Sequence, residues 1–98
     1  MKLELVRNLF GESFTIGRLN MNGVFYCFTV EKQVDKKKAV VGDFKVEDVS
    51  KHFNDIRVGK SVNMKTGVLL KEKEVHDNLT KTIQKALDSG EEVTLNIK

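Results

Sequence analysis

Apolar and polar residues alternate with period two through the first third of the chain and switch to a helical period only near its end. In residues 2–7, Leu3 and Leu5 face one way while Lys2, Glu4 and Val6 face the other, as in a strand. Residues 8–12 read as a turn. Phe14 and Ile16 resume the alternation, Leu19 falls out of phase with them, and Gly17 predicts a bulge that restores the phase. Asn22-Gly23 lies between two strand-like runs and predicts a type I′ hairpin turn, because both residues readily take positive φ. Residues 24–30 are apolar on both faces, the pattern of a central strand.

Charged residues from 31 to 38 predict a loop, and Val40, Val41, Phe44, Val46 and Val49 mark one or two further strands around Gly42. A turn at Thr66-Gly67 precedes a short buried strand at Val68-Leu69-Leu70. The period then changes. Val75, Leu79, Ile83, Ala86 and Leu87 fall on one helical stripe, with Asp77 or Asn78 to cap its start and Ser89-Gly90 to end it. Residues 91–98 alternate again, with Val93, Leu95 and Ile97 on one face, and an edge position would suit this strand. The expected fold is therefore α+β and mainly β: a small, mostly antiparallel sheet or barrel with one C-terminal helix followed by a final strand.

Length changes that picture only by bounding it. With 98 residues and no Gly/Ser/Pro linker or repeat, the chain reads as one domain over residues 1–98, large enough for a core but not for a deep cofactor cleft. No cofactor is expected. Residues 24–30, the longest mainly apolar stretch, fall far short of the roughly 20 a membrane helix needs, and no charged-then-apolar leader opens the chain. No membrane partner is expected, and the expected compartment is the cytoplasm. Cys27 is the single cysteine, so an internal disulfide and a cysteine-based zinc site are both excluded.

Charge is uneven. Residues 1–31 carry three basic and three acidic side chains, residues 32–73 carry eleven and six, and residues 74–98 carry three and five. The middle therefore holds the surplus. Lys36, Lys37 and Lys38, with Arg57, Lys60 and Lys65, are the candidate binding residues of a basic face for phosphates or an acidic protein. The bland alternative is a solvated loop, since Asp35, Asp43, Glu47 and Asp48 are interleaved with the basic residues. Of the aromatics in that half, Phe44 reads as core and only Phe53 is left, a poor platform for base stacking.

Candidate chemistry is sparse. Gly59-Lys60-Ser61 has the ending of a phosphate-binding loop, but Asn54 stands where the first glycine belongs and no helical pattern follows. His52 and His76 are the only imidazoles and neither has a second His or Cys within a turn, so no metal site is expected. Cys27 sits in the most apolar strand, where a thiolate is disfavoured and a packing role is usual. Thr29 and Glu31 on that strand can orient a base, yet no His lies near them in sequence.

Several segments together resemble a domain family of unknown function found in bacteriophages, prophages and bacteria. They are Leu5-Val6-Arg7, Thr15-Ile16-Gly17-Arg18-Leu19, Phe25-Tyr26-Cys27-Phe28-Thr29-Val30-Glu31, the run from Lys38 through Val46, and Gly90-Glu91-Glu92-Val93-Thr94-Leu95 after the C-terminal helix. Members of that family carry an Ile-Arg-Ile-His-x-Gly-Asn segment and a Gly-Cys-Ile-Leu segment that look like the active site of L,D-transpeptidases. Here the first becomes Ile56-Arg57-Val58-Gly59-Lys60-Ser61, without His, and the second becomes Thr66-Gly67-Val68-Leu69-Leu70, with Val68 in place of Cys. A thiolate nucleophile and the base that activates it are thus both missing, and the chemistry has no route.

The reading that follows is a small non-enzymatic, phage-type binding protein with no catalytic residues. Its expected form is an inhibitor or modulator of a host enzyme or defence system, acting in the host cytoplasm through the basic residues. One alternative is a sponge for a phosphorylated small ligand or a nucleic-acid binder using the same residues, with a pocket formed between two copies. Another is a residual cell-wall peptide hydrolase or transpeptidase that recruits Cys27, His52 or His76. A homodimer is compatible with each.

Overall fold

The three alternating runs form three long neighbouring strands, and the helix has one sheet face to cover. The computed structural model describes residues 1–32, 42–46 and 56–98. Strands β1 (Lys2–Phe10), β2 (Phe14–Met21) and β3 (Val24–Lys32) form an antiparallel meander. The β2–β3 link is the expected Asn-Gly turn, with Asn22 at φ 51° and Gly23 at φ 83°. Next come β4 (Gly42–Lys45), β5 (Arg57–Gly59), and a hairpin of β6 (Ser61–Val62) and β7 (Leu69–Leu70). Helix α1 (Glu72–Asp88) and the final strand β8 (Thr94–Ile97) complete the described chain.

Six strands make one sheet in the order β4-β8-β1-β2-β3-β5, and β6-β7 stand apart as a two-stranded sheet. Among the described strands only β1 and β8 run parallel. Everything from β2 to α1 separates these two strands in sequence, far more than the roughly dozen residues a parallel pairing requires, and α1 leads directly into β8. The final strand is accordingly interior, between β4 and β1, and not at an edge. Nor is β3 central, since it lies one place from the β5 edge. Its apolar character has another cause: both of its faces meet apolar layers.

On one face Leu3, Leu5, Leu19, Cys27, Val58, Leu95 and Ile97 join Leu79, Ile83 and Ala86 of α1 in the main core. The other face carries a smaller cluster, Ile16 and Val30 of the sheet with Leu69 of the hairpin, flanked by Phe14, Phe28 and Val62. Ile16 and Leu19 thus differ in phase because they serve different cores. No bulge at Gly17 is involved. The extra residues lie elsewhere: Asn8 is skipped where Arg7 pairs with Gly17 and Leu9 with Ile16, and Tyr26 is skipped where Leu19 pairs with Cys27 and Asn20 with Phe25. The first of these bulges lets β1 run to Phe10, through part of the stretch expected to turn.

The helix begins at Glu72, well before Asp77 or Asn78, and residue Lys71 precedes it at φ 58° without a side-chain cap. Glu72 and Glu74 in the first turn suit the positive end of the helix dipole. Its other end matches the expectation, with Ser89 as C-cap and Gly90 at φ 82°. Of the short strand expected at residues 68–70, only Leu69 is buried; Val68 and Leu70 point to solvent. Among the described residues no helix is long and apolar enough to cross a membrane.

Candidate functional site

Two places in the fold depart from a simple apolar sandwich, one on each side of the sheet. On the helix side, beyond the main core, the sheet carries a polar end. The register aligns Arg7 of β1 with Gly17 of β2 and Gly17 with Thr29 of β3. Arg7 reaches across β2 to Glu31, donating from Nε and Nη2 to the two carboxylate oxygens at 3.0 Å each. The side chains of this pair are only 5% and 12% exposed. Thr15 and Thr29 beside it are fully buried. A Cβ on Gly17 would stand 2.8 Å from Thr29 Oγ1 and 2.8 Å from the Val6 carbonyl oxygen, so glycine here leaves room for the polar packing. This cluster ties the three long strands together, and a forked guanidinium–carboxylate contact is among the strongest ways to do so.

The opposite face is divided. Its β1–β8 half is polar: Glu4 accepts from Lys98 Nζ at 2.9 Å and from Asn20 Nδ2 at 3.4 Å. The hydrogen bond from Lys98 is the largest of the causes that hold Glu4 below the usual carboxylate range. The other half is apolar, and the β6–β7 hairpin folds over its outer end. Gly59 permits that close approach, since a Cβ there would lie 2.8 Å from Leu69 Cβ. This close approach accounts for the glycine of Gly59-Lys60-Ser61, and the segment is a bend between two strands with no helix after it.

The hairpin is too short to cover everything. Leu9 is 42% exposed, Phe25 47%, Met64 52%, Val68 56% and Leu70 60%. The Tyr26 bulge turns Phe25 and Phe28 to the same face, with ring centroids 5.1 Å apart and planes at 63°. The Arg18 guanidinium carbon lies 5.9 Å from the Phe25 centroid and 5.8 Å from that of Phe28. An open cleft of about 110 Å3 begins beside it, walled by Leu9, Ile16, Arg18, Phe28 and Met64. None of these residues was among the candidate binding residues read from the sequence. The aromatic pair is three residues apart, which in a regular strand means opposite faces.

The described sequence-derived candidates fall on several different elements. Lys36, Lys37, Lys38, His52 and Phe53 lie outside the described residues. Arg57 on the edge strand β5 is engaged by Glu72, donating from Nε at 2.8 Å and Nη2 at 2.7 Å. That hydrogen-bonded pairing raises the Arg57 pKa and lowers that of Glu72. Lys60 is exposed at the base of the hairpin, and Lys65 is exposed in its turn, where its amide donates to Asn63 Oδ1 at 2.9 Å. Lys60 and Lys65 therefore belong to the same small element as the exposed Val68 and Leu70. Cys27 is buried in the main core, and burial pushes its thiol up to about 12. His76 is on α1, its Nδ1 3.8 Å from Asp77 Oδ1. Among the described residues no three His, Cys, Asp or Glu side chains group as a metal site would require.

No family model matches the chain, and neither a curated protein nor a solved structure does.

Proposed function

We propose that this protein is a non-enzymatic binding module that docks a partner protein through the sheet face opposite the helix, with the β6–β7 hairpin as its contact element. The exposed hairpin residues Val68 and Leu70 carry the reading, since they stand on the same element as Lys60 and Lys65. Exposed apolar side chains gathered in one region and rimmed by charge are the composition of interaction surfaces. The lysines favour an acidic partner surface, consistent with a formal net charge of +3. The phage-family resemblance adds a setting for that partner, a bacterial host protein whose activity the bound module inhibits or modulates.

The test is affinity capture from a bacterial lysate with quantitative mass spectrometry, beside a variant carrying Lys60→Glu, Lys65→Glu and Leu70→Ser. One near-stoichiometric acidic partner, lost in the variant while the melting temperature is kept, is the expected result. A partner that the variant still binds would move the docking surface elsewhere. No enriched protein, together with thermal stabilisation by nucleotides or nucleic acid, would replace the reading with the sponge or nucleic-acid alternative.

A further inference from the structure

We infer that the cleft beside Arg18 is an anchor site for an extended acidic–apolar segment of a partner protein, the segment's carboxylate on the Arg18 guanidinium and its neighbouring aliphatic side chain in the cleft. This deepens the docking proposal and rests on it.

Charge complementarity selects the carboxylate. Among the described residues Arg18 has no carboxylate within ion-pair distance, whereas Arg7 and Arg57 are each held by a forked glutamate. Glu4, the acid on the neighbouring half of the same face, is taken by Lys98. The planar group is held near two phenyl rings at 5.8 and 5.9 Å. Such contact limits the rotamers of an otherwise mobile side chain, so less freedom is lost when it grips a ligand. A single guanidinium matches one carboxylate in both charge and fork geometry.

The cleft selects the second group. Its walls are Leu9, Ile16, Phe28 and Met64, and its volume is about 110 Å3. An engineered cavity of about 150 Å3 takes benzene, so this one suits an aliphatic side chain rather than a fused ring system. Met64 adds adaptability, since an unbranched thioether can repack around differently branched guests. Arg, Phe and Met around one small apolar cleft are also the residue types enriched where interfaces concentrate their affinity.

A displayed library of short random peptides selected against the full chain tests this directly, with enriched peptides then titrated into the 15N-labelled protein. The expected sequences place Asp or Glu within two positions of Leu, Ile, Val or Met. Their binding shifts the amides of Leu9, Arg18, Phe28 and Met64. Arg18→Gln should weaken them by roughly ten- to a hundredfold, the worth of one charge-assisted contact. Arg18→Lys should retain part of the affinity, and selection against Arg18→Glu should enrich Lys or Arg instead. Arg18 is exposed, so these variants should keep the native melting temperature.

Peptides that lack an acid, or whose affinity survives Arg18→Gln, would overturn the assignment. Peptides that shift Val68 and Leu70 instead would overturn it while leaving the hairpin as the docking element. Failure to select any binding peptide would overturn the anchor alone if lysate capture still finds a hairpin-dependent partner, and both readings if it does not.

Discussion

The two faces of the sheet are built from the same alternating strands and meet different fates. The helix-side face is closed: α1 sets Leu79, Ile83 and Ala86 onto seven sheet residues, and Leu3, Leu5, Leu19, Val58 and Leu95 there are fully buried. Among the described residues, the opposite face is covered by a two-stranded hairpin, which buries Ile16, Val30 and Leu69 and leaves Leu9, Phe25 and Met64 exposed. The helix side thus holds most of the described core, and the other face is the one through which we propose docking.

Substitutions can break that contrast, beginning with the polar end of the helix side. Glu31→Ala removes the forked carboxylate from the nearly buried Arg7 guanidinium and should cost about 3–5 kcal/mol in urea unfolding. Ile83→Ala opens a cavity under the helix and should cost about 2–5 kcal/mol by the same measurement. For Gly17→Ala the added methyl meets the Val6 carbonyl at 2.8 Å, and a loss of about 1–3 kcal/mol is expected. If any of these proved neutral, the helix side would not be the stabilising face.

Smaller effects sharpen the comparison. Glu72 has its pKa lowered in the folded state, chiefly by the hydrogen bonds from Arg57, so its contribution is present above the unfolded value and is lost as pH falls through the folded one. Both side chains are more than a third exposed, so Glu72→Gln should cost less than about 1 kcal/mol at neutral pH. The difference from the parent protein should vanish in acid, below the usual carboxylate range. Leu70→Ser on the hairpin should change stability by no more than about 0.5 kcal/mol while abolishing partner capture. Cys27 gives a chemical version of the same contrast: with its thiol pushed up to about 12, it should resist iodoacetamide in the folded protein and react on unfolding.

Much of the fold was legible because it is written locally. Period-two alternation in residues 2–7, the Asn22-Gly23 turn, the stripe of Val75, Leu79, Ile83 and Ala86, and the Gly90 stop each depend on neighbours a few residues away. The helix start was not legible, because Lys71 takes a left-handed conformation where a capping side chain would ordinarily announce the boundary. The candidate surface was legible only in part. Lys60 and Lys65 could be named from charge, but their sharing a hairpin with Val68 and Leu70 required the fold, and Arg57 proved to be paired with Glu72.

What the sequence by itself determined, then, is the kind of element at most positions and which residues seek burial, since both follow from periodicity and local backbone preference. Strand order, the parallel pairing of β1 with β8, and the two bulges were decided by tertiary structure, since they depend on pairings between distant segments and on filling two unequal cores. The Arg18 cleft belongs to that second class. One extra residue at Tyr26 sets Phe25 and Phe28 on one face, and an extra residue at Asn8 opposes Leu9 to Ile16. A skip of one residue reverses every side chain beyond it, and no property of the skipped residue alone announces that it will be skipped.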